Sequence, residues 1–408
     1  MEKKFRCFEP TYVRQFQCDG RKCNAKCCRG WQVDIDRKTH DKYKQIADQA
    51  MRKKILDSLY WNKPSHTYRM KLDRVSCPLL RNDLLCDIQK KFGEAQLSNT
   101  CAEFPRRTFV VDEFAERSLS MTCPVAAELA LLNPEPLKFH YVELKTVRAA
   151  SFFYRSAVEM PARNFLPILQ KISFEVLQDR RLSINNRLTA LGFITSELDS
   201  MLLNGREQQF ELIPNVYHSD EYFQSLAARC KQLPFSTPDY MSFIVELTRQ
   251  LFQDAVVYYS EKQRVFTLYP IEAFHLTEPF DTWEEVIELY DKNIDAYKQF
   301  VLEPFGHVVE NYLVHSFFAG LYPCHAPITL FNNYFLFLSL FKVFEFGLIS
   351  MAAVLREKFS IDDLLEFIER LANRVDHASL FTQITLDFIT DKVAEPLKLM
   401  SALLDNRF

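Results

Sequence analysis

Apolar residues recur with two different periods along this chain, and the change comes near residue 137. Before it the pattern is short and irregular. Trp31-Gln32-Val33-Asp34-Ile35-Asp36 alternates as a strand does, while residues 39–59 have helical spacing. Residues 107–120 read as a hairpin, in which Thr108 to Val111 and Phe114 to Leu119 flank a turn at Asp112-Glu113. After residue 137 apolar positions fall three and four apart, which predicts helices over 142–160, 165–179 and 184–203, the last stopped by Asn204-Gly205. Pro214, Pro234 and Pro238 punctuate a less regular stretch. Helical spacing then resumes over 241–259, 283–302, 331–357, 361–374 and 380–404. The expected fold is mainly α: an irregular cysteine-rich metal-binding region with short strands, followed by a helical scaffold. Expected domains are 1–136, a helical connecting segment 137–210 and a helical domain 211–408.

Composition narrows the function classes. A chain of 408 residues with 48% hydrophobic residues and only 8 Gly can bury a large core and more than one domain. Fifty basic and 53 acidic residues leave a net charge of -3, which offers no electrostatic case for nucleic acid. The 36 Phe residues have no interleaved basic patch, so they predict a helix-packed core. Residues 335–355 are strongly apolar, but Lys342 and Glu345 interrupt them, predicting a buried helix and no membrane span. The first residues, MEKKFRCFEP, lack the apolar stretch and cleavage site of a secretory signal. A cytoplasmic protein with reduced thiols is therefore expected, without a disulfide framework.

Against that background the cysteines stand out. Eight of the 11 fall at Cys18, Cys23, Cys27, Cys28, Cys77, Cys86, Cys101 and Cys123, and only Cys7, Cys230 and Cys324 lie elsewhere. Soft thiolates concentrated in this way point to a metal centre, because one centre gathers several sulfur ligands from separated stretches of backbone. Four suffice for a [4Fe-4S] cluster or a structural zinc, and eight allow two sites, so the eight form a pool of which at least four are used. Both metals remain open on spacing. The vicinal pair Cys27-Cys28 can serve one centre only where the backbone turns. Proline follows Cys77 and Cys123, stiffening each loop. The usual radical-enzyme spacing Cys-x3-Cys-x2-Cys is absent, because position 30 is Gly30. His40 and His66 are the histidines within the region, and with eight thiols at hand neither is needed as a ligand.

The motifs Phe16-x-Cys18-x4-Cys23-x3-Cys27-Cys28-x2-Trp31-x-Val33, Cys77-Pro78-Leu79, Leu85-Cys86-x-Ile88, Thr100-Cys101-x2-Phe104-Pro105-Arg106 and Leu119-Ser120-x-Thr122-Cys123-Pro124 carry a resemblance. The chain resembles the flagellin lysine-N-methylase family, whose N-terminal part is related to small proteins with a zinc- or iron-chelating cysteine domain. Similarity extends to Glu310-Asn311-Tyr312-Leu313-Val314. The resemblance implies an enzyme that methylates surface lysines of flagellin from S-adenosylmethionine and carries an iron-sulfur centre, [4Fe-4S] in preference to zinc.

No Rossmann-type glycine loop supports a conventional cofactor pocket, since Gly30, Gly93 and Gly192 are isolated. A lysine ammonium has no lone pair, so the site must first take its proton. Glu103, Asp34, Glu310 and Tyr312 are the candidate acceptors, with Asp36 and Glu128 also near the thiols; a solvent-facing or capping role is the alternative for each acid. Arg106 and Arg107 are candidates to pair with the cofactor carboxylate, against a surface ion pair as the alternative, and Trp31 is a candidate cofactor contact. Two other classes compete: a metal-stabilised flagellin-binding or assembly protein, and a redox-sensing iron-sulfur protein. The expected partner is flagellin, with no nucleic acid.

Overall fold

Alternating apolar positions near the amino terminus build sheets. The computed structural model describes residues 5–111, 114–144, 152–154, 165–256, 264–276, 283–326, 328–375, 379–392 and 396–405. Two compact units divide the chain: Met1–Ala130 with Leu137–Ser156, and Leu131–Pro136 with Ala157–Phe408.

Strands of the first unit are β1 (Phe5–Pro10), β2 (Asp34–Ile35), β3 (Leu59–Asn62), β4 (Thr67–Met70), β5 (Arg106–Val111), β6 (Phe114–Leu119), β7 (Phe139–Leu144) and β8 (Phe152–Tyr154). Five of them form one mixed sheet in the order β7-β1-β6-β5-β8. Within it β1 runs parallel to β6, with Cys7 opposite Ala115, and antiparallel to β7, with Cys7 opposite Val142. The alternation in β5 and β6 turns Val110 and Ala115 onto one face, where they pack with Cys7 and Leu144. A second, antiparallel sheet has the order β2-β4-β3. Short helices α1 (Arg37–Lys44), α2 (Gln49–Asp57), α3 (Asp87–Phe92) and α4 (Asn99–Glu103) accompany it, and α5 spans Pro124–Leu131. Side chains cap the starts of α1, α2 and α4. The carboxylates of Asp36 and Asp48 accept from Thr39 N and Met51 N, both at 2.9 Å, and the Ser98 hydroxyl accepts from Cys101 N at 3.2 Å. Ile35, Tyr43, Ile55, Leu79 and Ile88 form the core beneath, with Cys77 and Cys86 packed on its rim.

The helices of the second unit are α6 (Leu166–Leu177), α7 (Ile184–Leu203), α8 (Ile213–Tyr217), α9 (Asp220–Gln232), α10 (Thr237–Val256), α11 (Arg264–Phe274), α12 (Trp283–Tyr297), α13 (Glu303–Ala319), α14 (Leu330–Leu355), α15 (Ile361–Val375), α16 (Ser379–Lys392) and α17 (Pro396–Leu403). At the centre is α14, packed against α7, α11 and α12. Its N-terminus is held twice: the Thr329 hydroxyl accepts from Asn332 N at 3.1 Å, and the Asp199 carboxylate accepts from Leu330 N and Phe331 N at 2.8 and 2.7 Å. Gly347 on α14 lets the ring of Phe367 approach, since a Cβ there would stand 2.3 Å from Phe367 Cζ. Among the described residues one helix, Leu330–Lys358, is long and apolar enough to cross a membrane, and 83% of its apolar window is buried within the chain. Lys342 and Glu345 inside it pair at 2.6 Å, and Lys342 Nζ also donates to Asn185 Oδ1 at 2.6 Å.

Helix predominates, as the spacing predicts. The differences are local. Where residues 142–160 read as a helix, 139–144 and 152–154 are strands, because Val142 and Leu144 face an open edge of β1; the remainder of that stretch, like the turn at Asp112-Glu113 and residues 257–259, lies outside the described residues. The supposedly irregular N-terminal region supplies three strands, β1, β5 and β6, of a five-stranded sheet. Residues 39–59 break into α1, α2 and the start of β3, and 380–404 divide into α16 and α17.

Between α12 and α13 the helix does not end. Lys298–Leu302 forms a wide π turn, in which Glu303 N–H donates to Lys298 O. Pro304 follows directly; it lacks the N–H that a regular ladder needs, and Phe305 leaves the helical region at φ -128°, ψ 17°.

Candidate functional site

All eight clustered cysteines belong to the first unit, and each is a free thiol. Asn24 and Ala25, both at φ 51°, reverse the backbone into a short 3-10 turn over Lys26–Cys28. That turn brings the vicinal pair together: the Cys28 thiol donates to the Cys27 sulfur and holds Cys27 down to about 7, while the same bond and burial push Cys28 well up. Cys77 N donates to Cys28 O at 2.9 Å, tying the two thiol-bearing loops, and Leu80 bridges to Cys86. Burial raises the thiols of Cys77 to about 11 and Cys123 to about 12, and raises Cys86 as well. Cys18 and Cys101 are exposed. Cys27 lies within electrostatic reach of Cys18, Cys28, Cys77, Cys86, Cys101 and Cys123.

The donor chemistry suits a soft metal centre. Yet among the described residues no three His, Cys, Asp or Glu side chains are disposed to hold a metal ion.

Other candidates of the first unit have structural partners. Asp34 pairs with Arg69 Nε at 2.6 Å, and Asp36 caps α1 while accepting from Thr39 Oγ1 and Asn99 Nδ2. Glu103 is buried with Arg117 Nη2 at 3.7 Å, and Glu128 lies 3.6 Å from Lys22. Arg106 donates to Ala102 O at 3.1 Å and covers the Phe16 ring, whereas Arg107 covers Phe109. As neighbours on β5 the two arginines project to opposite faces, so one carboxylate cannot sit between them. Trp31 is 41% exposed and tilted on Phe104 at 5.5 Å. His40 is buried, stacked on Tyr68 at 3.6 Å, and its desolvation lowers its basicity; His66 sits in the turn between β3 and β4.

The second unit contains Glu310 and Tyr312, both on α13 and both buried. Tyr312 packs on Phe344 at 4.2 Å. Glu310 joins two guanidiniums: Oε1 accepts from Arg180 Nη2 at 2.9 Å, and Oε2 accepts from Arg187 Nη1 at 2.7 Å and Arg180 Nε at 3.1 Å. Its lone pairs are engaged, which suits it to holding the arginines rather than to accepting a substrate proton. Arg180 also donates to Pro134 O, and Arg187 to Leu177 O and Leu182 O, at 2.8–3.1 Å. These groups edge a cavity of about 460 Å3 that reaches Tyr297, Asn185 and Glu345. Sequence reading singled out Glu310, Lys342 and Glu345 but missed Arg180, Arg187, Asn185 and Tyr297. A signal for the arginines was the Arg180-Arg181 doublet directly after a predicted helix.

Structurally, then, this is a helix-rich protein with a thiol-bearing sheet unit and a charged cavity in a helical unit. Residues 170–403 match the FliB lysine N-methylase C-terminal domain, and the chain belongs to that family. It is 35% identical over 133 residues, 32% of its length, to the lysine-N-methylases of Salmonella choleraesuis (strain SC-B67) and Salmonella typhimurium (strain LT2), the match spanning about a third (33%) of each. A stretch of the same length is 35% identical to the flagellar biosynthetic protein FliU of Salmonella muenchen and covers 79% of it. No solved structure matches the chain.

Proposed function

We propose that this protein transfers a methyl group from S-adenosylmethionine to the side-chain nitrogen of lysines on flagellin. The observation that carries the reading is the family match over residues 170–403, supported by the activity for which the two Salmonella lysine-N-methylases are named. The flagellar role in the name of FliU supports a flagellar partner. The thiols around Cys27 support a [4Fe-4S] centre in the first unit, with zinc as the competing metal, and a cytoplasmic setting keeps them reduced.

Chemically, the lysine ammonium loses its proton, and the free nitrogen lone pair forms an N–CH3 bond as the S–CH3 bond breaks. The sulfonium keeps the bonding pair and becomes a neutral thioether. Catalysis then consists of stripping water and a proton from the amine and holding it in line with the sulfur–methyl bond.

Anaerobic incubation of the protein with purified flagellin and methyl-labelled S-adenosylmethionine, followed by peptide mass analysis, tests the reading. Label on flagellin lysines is expected, with loss of label when Cys27 and Cys28 are both replaced by Ser. Unmodified flagellin bound tightly to the protein would instead favour an assembly role, the second reading that the FliU name supports. Iron and sulfide analysis of the anaerobic protein tests the centre: zinc without iron removes the cluster.

A further inference from the structure

The cavity of the helical unit has features of a ligand site that no packing requirement explains. Tyr297 is 1% exposed and lines it, yet its hydroxyl has no hydrogen-bond partner. A buried hydroxyl left bare is costly, and a ligand polar group that bonds to it removes the cost. Shape points the same way. The π turn after Tyr297 and the break at Phe305 open the helix where Leu302, Gly306 and His307 form the wall. Such turns recur at functional sites because they leave room and backbone groups that a regular helix closes.

Charge then selects the ligand. At one wall two guanidiniums share the single carboxylate of Glu310, and Arg180 Nη1 and Arg187 Nη2 take no part in those bonds. One positive charge is left over in direct contact; Glu135 also acts on Arg180, but from an exposed position outside the cavity lining. At the other wall Glu345 gives only Oε2 to Lys342, whose ammonium is also held by Asn185. Glu345 also acts on the Tyr297 hydroxyl. A ligand carboxylate suits the arginine side, and a cationic group suits the Glu345 side.

We propose that this cavity binds a small molecule through an α-amino carboxylate: the ligand carboxylate against Arg180, and its ammonium against Glu345 beside the Tyr297 hydroxyl. A volume of about 460 Å3 admits that group together with a larger substituent. The methionine moiety of S-adenosylmethionine is one source of this chemistry and a free amino acid is another; naming the cofactor as the ligand rests on the proposed methyl transfer, while the recognised group does not.

Calorimetric titration of the full chain separates the cases. The probes are S-adenosylmethionine, S-adenosylhomocysteine, free methionine and 5′-methylthioadenosine, the last lacking the amino acid. Tyr297→Phe and Arg180→Gln are the variants, with thermal melting to confirm that each is folded. Each variant is expected to weaken S-adenosylhomocysteine and S-adenosylmethionine about tenfold, leaving 5′-methylthioadenosine unchanged. Wild-type binding of the cofactor with both folded variants indifferent overturns the cavity assignment and leaves methyl transfer standing. No cofactor binding, with free methionine weakened in the variants, sinks the methyl-transfer reading and keeps the cavity. Binding of none of the probes overturns both.

Discussion

The helical unit buries two ion pairs in its interior: Arg187 and Glu310 expose 7% and 5% of their side chains, and Lys342 and Glu345 expose 1% and 4%. In the first unit the buried pair, Arg117–Glu103, is a looser contact at 3.7 Å, and pairs such as Arg69–Asp34 expose 30% and 45%. A surface pair gains little and is screened, whereas a buried pair is weakly stabilising as a unit but very costly to break. The helical unit therefore has its sensitivities at single polar contacts within a large aromatic core. The first unit has apolar clusters around Ile35 and around Val110, and it also uses helix caps and loops tied near its thiols.

The contrast is broken most severely at Glu310. Glu310→Ala leaves Arg187 buried without its partner, and denaturant unfolding should show a loss of about 3–5 kcal/mol. If the loss is under about 1 kcal/mol, the pair is wetter than its burial implies and behaves as a surface pair. Next in size is Gly347→Ala, where the new methyl meets the Phe367 ring; a loss of about 1–3 kcal/mol in the same measurement is expected from overpacking.

In the first unit the corresponding tests give smaller numbers. Cys28→Ala removes the donor that lowers Cys27, so the thiolate of reduced, metal-free protein should form at higher pH. Iodoacetamide alkylation of Cys27, half-maximal near its lowered value of about 7 in the wild type, should shift toward the ordinary thiol range and slow about tenfold at neutral pH. An unchanged pH profile would show that the pair does not interact. Asp36→Ala should cost about 1 kcal/mol by loss of the α1 cap, and Asp36→Asn should recover most of it. Loss of enzymatic activity in a folded Asp36→Asn protein would instead assign the carboxylate a chemical role.

Which parts of this contrast were visible in the residues follows from how local their causes are. Helix α7 matches the expected 184–203 because its cap, apolar spacing and Asn204-Gly205 stop all lie within it. Helix α14 was visible as a buried helix because Lys342 and Glu345 interrupt its apolar run. Strand β7 was not, since Phe139 and Val142 fit a helical spacing equally well and the strand exists only through pairing with β1, more than a hundred residues earlier. The thiols announced themselves by residue type alone. The cavity did not, because Arg180, Arg187, Tyr297 and Glu310 are ordinary residues apart and become a site only when α7, α12 and α13 meet. Pro304 and Gly306 were the local sign that the helix changes character there.

Tyr297 and Glu310 are thirteen positions apart on one continuous helical run and line the same cavity. At about 100° per residue an unbroken α-helix would set them about 140° apart around its axis. The wide turn at Lys298–Leu302 and the break at Phe305 lie between the two positions and change that angle. The length of this stretch is thus a phase setting. Exchanging the exposed Gln299 for another helix former leaves the phase alone, whereas deleting one residue of the turn rotates Glu310 by about 100° relative to Tyr297.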